Sequence, residues 1–149
     1  MGEDRLVKLN LFCGKDIRKG FINIDKHNFG QELIIDLDKR KLPFPDESVD
    51  YILSNHGVEH VQNLVSLMNE IWRVLKTGGI FESFSPCYPS ERCFQDPTHK
   101  TVITEKTFEY FSNERYMQYI PEFKGKFKIL LQERLPNTDL HVILEKEKR

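Results

Sequence analysis

Long apolar runs are missing from this chain of 149 residues. No stretch is long enough to span a bilayer, and Gly2-Glu3-Asp4-Arg5 lacks the basic-then-apolar order of a signal peptide. The expectation is a cytoplasmic protein with no membrane span. Cysteine is scarce. Cys13, Cys87 and Cys93 are odd in number and form no Cys-x-x-Cys pair, which argues against a disulfide framework or a zinc knuckle. An excess of either charge is also absent: 22 basic and 23 acidic residues leave a formal charge of −1. The charges are mixed from end to end, so there is no strong nucleic-acid signal. Repeats and low-complexity segments are lacking too, and only residues 145–149 read as a solvated, fraying tail.

A chain of this length is most simply one domain, residues 1–149, with no room for a separate substrate domain. Substrate specificity then has to come from loops. Val7, Leu9 and Leu11 alternate with Lys8 and Asn10 as a strand entering a core, which stops at Phe12-Cys13-Gly14. Five residues separate Gly14 from Gly20, too few for the helix that normally crosses between parallel strands. Residues 21–24 read as the second strand, closed by Asp25. Without a crossover helix there is no helix N-terminus for a pyrophosphate, so a nucleoside cofactor lacking one fits better. A carboxylate at Asp25 can accept hydrogen bonds from both hydroxyls of a ribose, though a capping or solvated aspartate is as good a reading from position alone. Residues 33–37 read as a short third strand, ending at Asp36-Leu37.

Leu42-Pro43-Phe44-Pro45-Asp46 is a proline-punctuated turn, and residues 49–54 are the next strand, running into Asn55-His56. Asn63 is a plausible N-cap for a helix carrying Leu64, Leu67, Met68, Ile71, Trp72 and Leu75 at three- and four-residue spacing, stopped by Gly78. Met68 and Trp72 belong to the core of such a helix. Residues 80–84 form a further strand. Residues 87–104 make a polar loop, long enough to be functional. A helix begins at Thr104 with Phe108 and Phe111 near one face. Residues 126–135 and 139–146 alternate around Pro136-Asn137-Thr138 as a β-hairpin. The fold class is α/β: one Rossmann-like doubly wound sheet, mostly parallel, with a C-terminal antiparallel hairpin.

In their order and spacing, residues 9–14, 20–25, Asp36-Leu37, 42–50, 56–60 and Arg73 to Gly79 resemble class I S-adenosylmethionine-dependent methyltransferases, of the small group with a shortened first crossover. The resemblance spans residues 6 to about 111. It implies S-adenosylmethionine as cofactor, held by Asn10, Phe12, Cys13 and Gly14 in the first motif. Asp25 would hold the ribose, Asp36 and the Leu37 backbone the adenine, and Asn55 and His56 would lie beside the methionine end. Phe12 stands where the family usually has glycine, so its ring must enter either the core or the cofactor space. Methyl transfer from a sulfonium mainly needs alignment, and such an enzyme can lack a catalytic signature. His60, Asp96 and His99 are candidates for contacts to an unidentified acceptor, expected to be a small molecule; a turn or scaffold role is at least as good for each. The alternative is a non-catalytic binding or regulatory protein that has kept the sheet.

His56-Gly57-Val58-Glu59-His60 also matches the His-x-x-Glu-His pattern of zinc proteases. That chemistry needs all five residues inside one helix. Here they follow a strand directly and Gly57 weakens a helix start, so no metal site is expected.

Overall fold

Leu9 and Leu11 have no exposed surface, and the sheet is built outward from them. The computed structural model describes residues 5–149; Gly2, Glu3 and Asp4, considered above, lie outside them. Strands β1 (Lys8–Leu11), β2 (Ile22–Asp25), β3 (Leu33–Ile34), β4 (Val49–Asn55), β5 (Leu75–Pro86), β6 (Phe127–Arg134) and β7 (Asp139–Lys146) form one sheet of order β3-β2-β1-β4-β5-β7-β6. The first five are parallel, and β7 runs antiparallel to both β5 and β6. The parallel sheet with an antiparallel C-terminal pair is the fold class expected.

Helix α1 (Leu64–Val74) starts where Asn63 accepts a hydrogen bond from the Ser66 N–H at 3.0 Å. It buries Leu64, Leu67, Met68, Ile71 and Val74, each worth roughly 1.5–3 kcal/mol when fully removed from water. Arg73 bonds the carbonyls of Leu42 and Phe44 and the carboxylate of Asp46. That clamp fixes the proline turn to the helix. The helix ends one residue earlier than its apolar spacing suggests. Leu75 is already extended, and β5 begins there by pairing Leu75 with Val49; Gly78, with φ 83°, lies inside the strand rather than at a helix stop.

Other local expectations are corrected. The third strand is two residues long, so Asp36 lies in the following turn, its carbonyl accepting from Lys39 and Arg40. The segment after Thr104 forms a five-residue 3₁₀ helix, Thr107–Phe111, followed by the short α2 (Glu114–Met117). Thr104 is tied to Thr107 by its own N–H. The tail does not fray: Lys146 is 3% exposed, and Arg149 donates to the carbonyls of Phe123 and Gly125.

The buried residues of α1 and α2 join one core with Leu9, Leu11, Ile24, Ile52, Phe81, Val142 and Leu144. Strand register puts Lys8, Asn10, Asn23, Tyr51, Leu53, Glu82 and His141 on the opposite face. Neither α-helix packs there, so the winding is thinner than the class implies. Between β1 and β2 the shortened crossover is a loop pinned by buried amides. Asn10 Nδ2 donates to the Asn23 side chain and the Asp16 carbonyl, and Asn23 accepts from the Arg18 N–H.

Candidate active site

Strands β1 and β4 are neighbours, but the chain leaves β1 toward β2 and leaves β4 toward β5 on the other side. This is the topological switch point, where α/β sheets open a crevice beyond their carboxyl ends. Both strands leave it through non-glycine residues in the left-handed region, Phe12 at φ 56° and His56 at φ 57°. Such conformations cost of order 1–3 kcal/mol each and persist where packing enforces them. The Phe12 ring packs on Gly57, where an added Cβ would fall 2.2 Å from Phe12 Cδ2. Its ring is therefore a partly buried neighbour of the core.

Beyond Phe12 the chain turns back to β2. Cys13 N–H donates to the Ile24 carbonyl at 3.0 Å, and Gly14 N–H donates to Asp25 Oδ2 at 2.9 Å. Asp25 Oδ1 accepts from the His27 N–H at 2.9 Å. The carboxylate is thus fixed at the end of β2. A Cβ built on Gly14, at φ 52°, meets nothing within 4 Å, so the space above it is open. The Cys13 thiol is pushed up to about 11, by burial first and then by the Asp25 charge.

Not every residue expected at the cofactor reaches this crevice. Asn10 is buried and spends its amide beneath the loop. Asp36 Oδ1 caps its own turn through the Asp38 N–H, and Leu37 borders a cavity of about 530 Å³ beside Trp72 and Arg73 of α1. Asn55 and His56, at the end of β4, line a cavity of about 550 Å³ on the helix-free face, with Tyr51, Glu82, Phe84 and Asp139. His56 Nε2 and Asp139 Oδ2 are 2.6 Å apart, and Asp139 Oδ1 accepts from Arg92 at 2.8 Å. Glu82 accepts from the Tyr51 hydroxyl and lies 2.5 Å from His141 Nε2.

The sequence reading missed Asp139, Arg92, Tyr51 and Glu82. Asp139 reaches His56 only because β7 inserts antiparallel beside β5, pairing Pro86 with Asp139. Nothing local in the sequence signals that contact.

The acceptor candidates form a separate group. Val58–His60 is a 3₁₀ turn, so the His-x-x-Glu-His residues are not on one α-helix. His60 and His99 meet edge to face at 4.8 Å, and the buried Glu59 groups with them. Asp96 holds its own turn, accepting from the Thr98 N–H and hydroxyl, and these bonds keep its carboxyl below the usual range.

The family model described as "Methyltransferase domain" matches residues 5–82, just over half of the chain. The chain belongs to the methyltransferase-domain family. Among curated members, demethylmenaquinone methyltransferase of Listeria monocytogenes serotype 4a (strain HCC23) is 36% identical over 110 residues, covering 74% of this chain and 39% of that protein. Sterol 24-C-methyltransferase of Pneumocystis carinii (strain B80) is 33% identical over 66 residues, covering 44% of this chain and 18% of that protein. The chain thus spans well under half the length of these relatives. An S-adenosylmethionine-dependent methyltransferase from Archaeoglobus fulgidus shares the fold at TM-score 0.68 and 16% identity, covering 97% of this chain and 87% of that one. The cyclase SpnF does so at TM-score 0.66 and 13% identity, covering 97% and 75%. At these identities the likeness shows the fold alone.

Proposed function

We propose that this methyltransferase-domain chain transfers a methyl group from S-adenosylmethionine to a small-molecule acceptor. One observation carries the reading: the Asp25 carboxylate is locked to the Gly14 N–H beside open space at the switch point. The residues fit the cofactor. Asp25 keeps lone pairs to accept ribose hydroxyls, and Gly14 leaves room for a close approach to the backbone. Asn55 and His56 stand at the end of β4, where the methionine end would lie. Asn10 and Asp36 contribute by holding the loop and the turn, and Phe12 by filling the gap under Gly57.

Bound S-adenosylmethionine supplies a methyl on sulfonium, a centre that carries its own leaving group. The chain's task is then alignment, worth about 7 kcal/mol or more in favourable cases. The cavity of about 550 Å³ beside Asn55 and His56 is of small-molecule size. Two curated relatives are named for demethylmenaquinone and a sterol, both small molecules. Asp139 accepts the His56 Nε2–H in the neutral tautomer, which fixes the imidazole beside the cavity. His60 and His99 cluster with Glu59 rather than lining this cavity.

Calorimetric titration with S-adenosylhomocysteine and S-adenosylmethionine tests the reading. Saturable binding is expected, and Asp25→Ala should weaken it roughly tenfold or more by removing two charge-assisted hydrogen bonds. Heat-silent titrations of the wild type at millimolar ligand would leave the non-catalytic reading in its place. Labelled-methyl transfer into the small-molecule fraction of a cell extract then identifies the acceptor class.

A further inference from the structure

Glu59 is the least comfortable side chain in the structure. It is 2% exposed, and neither carboxylate oxygen has a hydrogen-bond partner. The nearest imidazole nitrogen outside the cluster, His56 Nδ1, stands at 3.9 Å. A buried carboxylate left bare in this way is costly and calls for an unseen proton, water or ion. Burial drives its pKa upward, against the pull of its own backbone N–H and then of the nearby histidines.

The two imidazoles beside it are prepared for one of these answers. His99 Nδ1 lies 3.0 Å from the Cys93 carbonyl, which can only accept, so the proton of the neutral ring sits on Nδ1. His60 Nδ1 lies 3.0 Å from Thr98 Oγ1, whose own hydrogen goes to Asp96 at 2.7 Å. The hydroxyl is therefore an acceptor toward His60, and that ring too carries its proton on Nδ1. Both Nε2 lone pairs are left free. This is how protein shells orient metal-binding histidines: the second nitrogen is held by a carbonyl or a hydrogen-bonded side chain. The backbone locks the parts together, because Lys100 N–H and Thr101 N–H both donate to the Glu59 carbonyl.

We propose that Glu59, His60 and His99 form a three-ligand site for a divalent transition-metal ion, zinc in preference to magnesium or calcium. One ligand atom from each lies within 4.8 Å of the others. Tetrahedral zinc sets its ligands roughly 3.4 Å apart, so the three side chains must close in on the ion by small rotations. Two imidazoles and one carboxylate suit zinc, whereas calcium and magnesium take oxygen ligands. The fourth position opens toward Asp96, whose Oδ2 is 3.6 Å from His99 Nε2, and takes that carboxylate or a water. The ion neutralises Glu59 and ties the 96–101 loop to the turn after β4. This set differs from the zinc-protease pattern, because His99 replaces His56 as the second imidazole.

The test uses the full chain, stripped with a chelator and titrated with zinc against a chromophoric competitor. One equivalent should bind, with a dissociation constant of about 1 μM or tighter and a rise in melting temperature. Cobalt in the same site should give tetrahedral visible absorption. His60→Gln and Glu59→Gln should each weaken binding roughly tenfold to a hundredfold. Should Glu59→Gln not fold, the half-exposed His60→Gln variant still decides. Absence of stoichiometric binding to the wild type, or equal binding to wild type and His60→Gln, overturns the proposal. Neither readout depends on S-adenosylmethionine or on turnover.

Discussion

Phe12 stands where the resemblance implies glycine, and its ring packs against Gly57 and the core. A glycine there would take φ 56° freely; a phenylalanine is strained, and its ring needs a place. Gly57, at the end of the neighbouring strand, is that place. The two positions are complementary, glycine at 57 against an aromatic ring at 12. Gly57→Ala should therefore destabilise the chain by about 1–3 kcal/mol, the usual cost of overpacking. Adding Phe12→Gly to Gly57→Ala should return part of that loss, since the colliding ring is gone. Urea denaturation of the two single variants and the double gives the result. Strict additivity of the two losses would mean that the ring does not press on Gly57.

At the scale of elements, legibility followed sequence distance. Helix α1 could be read from Asn63 and the three- and four-residue spacing, because cap and stripe lie within one segment. The close approach of the Gly14 turn and the end of β2 was legible because a short loop joins the two strands, whereas the Gly14–Asp25 hydrogen bond was not. The helix-to-strand junction was not. Leu75 fits the helical stripe, and only its pairing with Val49 on a distant strand turns it extended. The tail was misread for the same reason. Glu-Lys-Glu-Lys-Arg looks solvated, yet Lys146 Nζ donates to the Leu75 carbonyl at 2.7 Å and lies 4.2 Å from the Trp72 ring centre. Trp72 in turn donates to the Glu147 carbonyl. Burial lowers the pKa of Lys146, partly offset by Glu47. Lys146→Ala orphans the Leu75 carbonyl and should cost about 1–3 kcal/mol. At roughly 2–4 °C per kcal/mol for a chain of this size, calorimetry would register the fall in melting temperature. An unchanged melting temperature would return the tail to the solvated state first expected.

For the whole molecule, the consequence of losing the early crossover helices is a sheet with two unlike faces. One is a conventional apolar core under α1. The other substitutes a polar and aromatic ribbon for missing helices. Lys8 Nζ lies 4.6 Å from the Phe21 ring centre, Phe21 meets Tyr51 edge to face, and Tyr51 donates to Glu82. His141 joins Glu82 and stacks on Phe84 at 4.2 Å. The site was half legible for this reason: the apolar face follows from hydrophobic period, whereas the ribbon depends on cross-strand pairs between residues far apart in the chain. If the ribbon holds this face together, its members must be energetically coupled. Glu82 stands at the centre, bridging the hydroxyl of Tyr51 on β4 and the imidazole of His141 on β7. Replacing Glu82 by Gln or His141 by Gln should each cost about 1 kcal/mol, the net worth of a typical hydrogen bond. In the double variant the two losses should fall short of their sum by more than about 0.5 kcal/mol, as expected for residues sharing one network. Urea unfolding of the four proteins measures that coupling. Losses that simply add would show Glu82 and His141 to be independent surface residues, and the stability of the sheet would then rest on its apolar face alone.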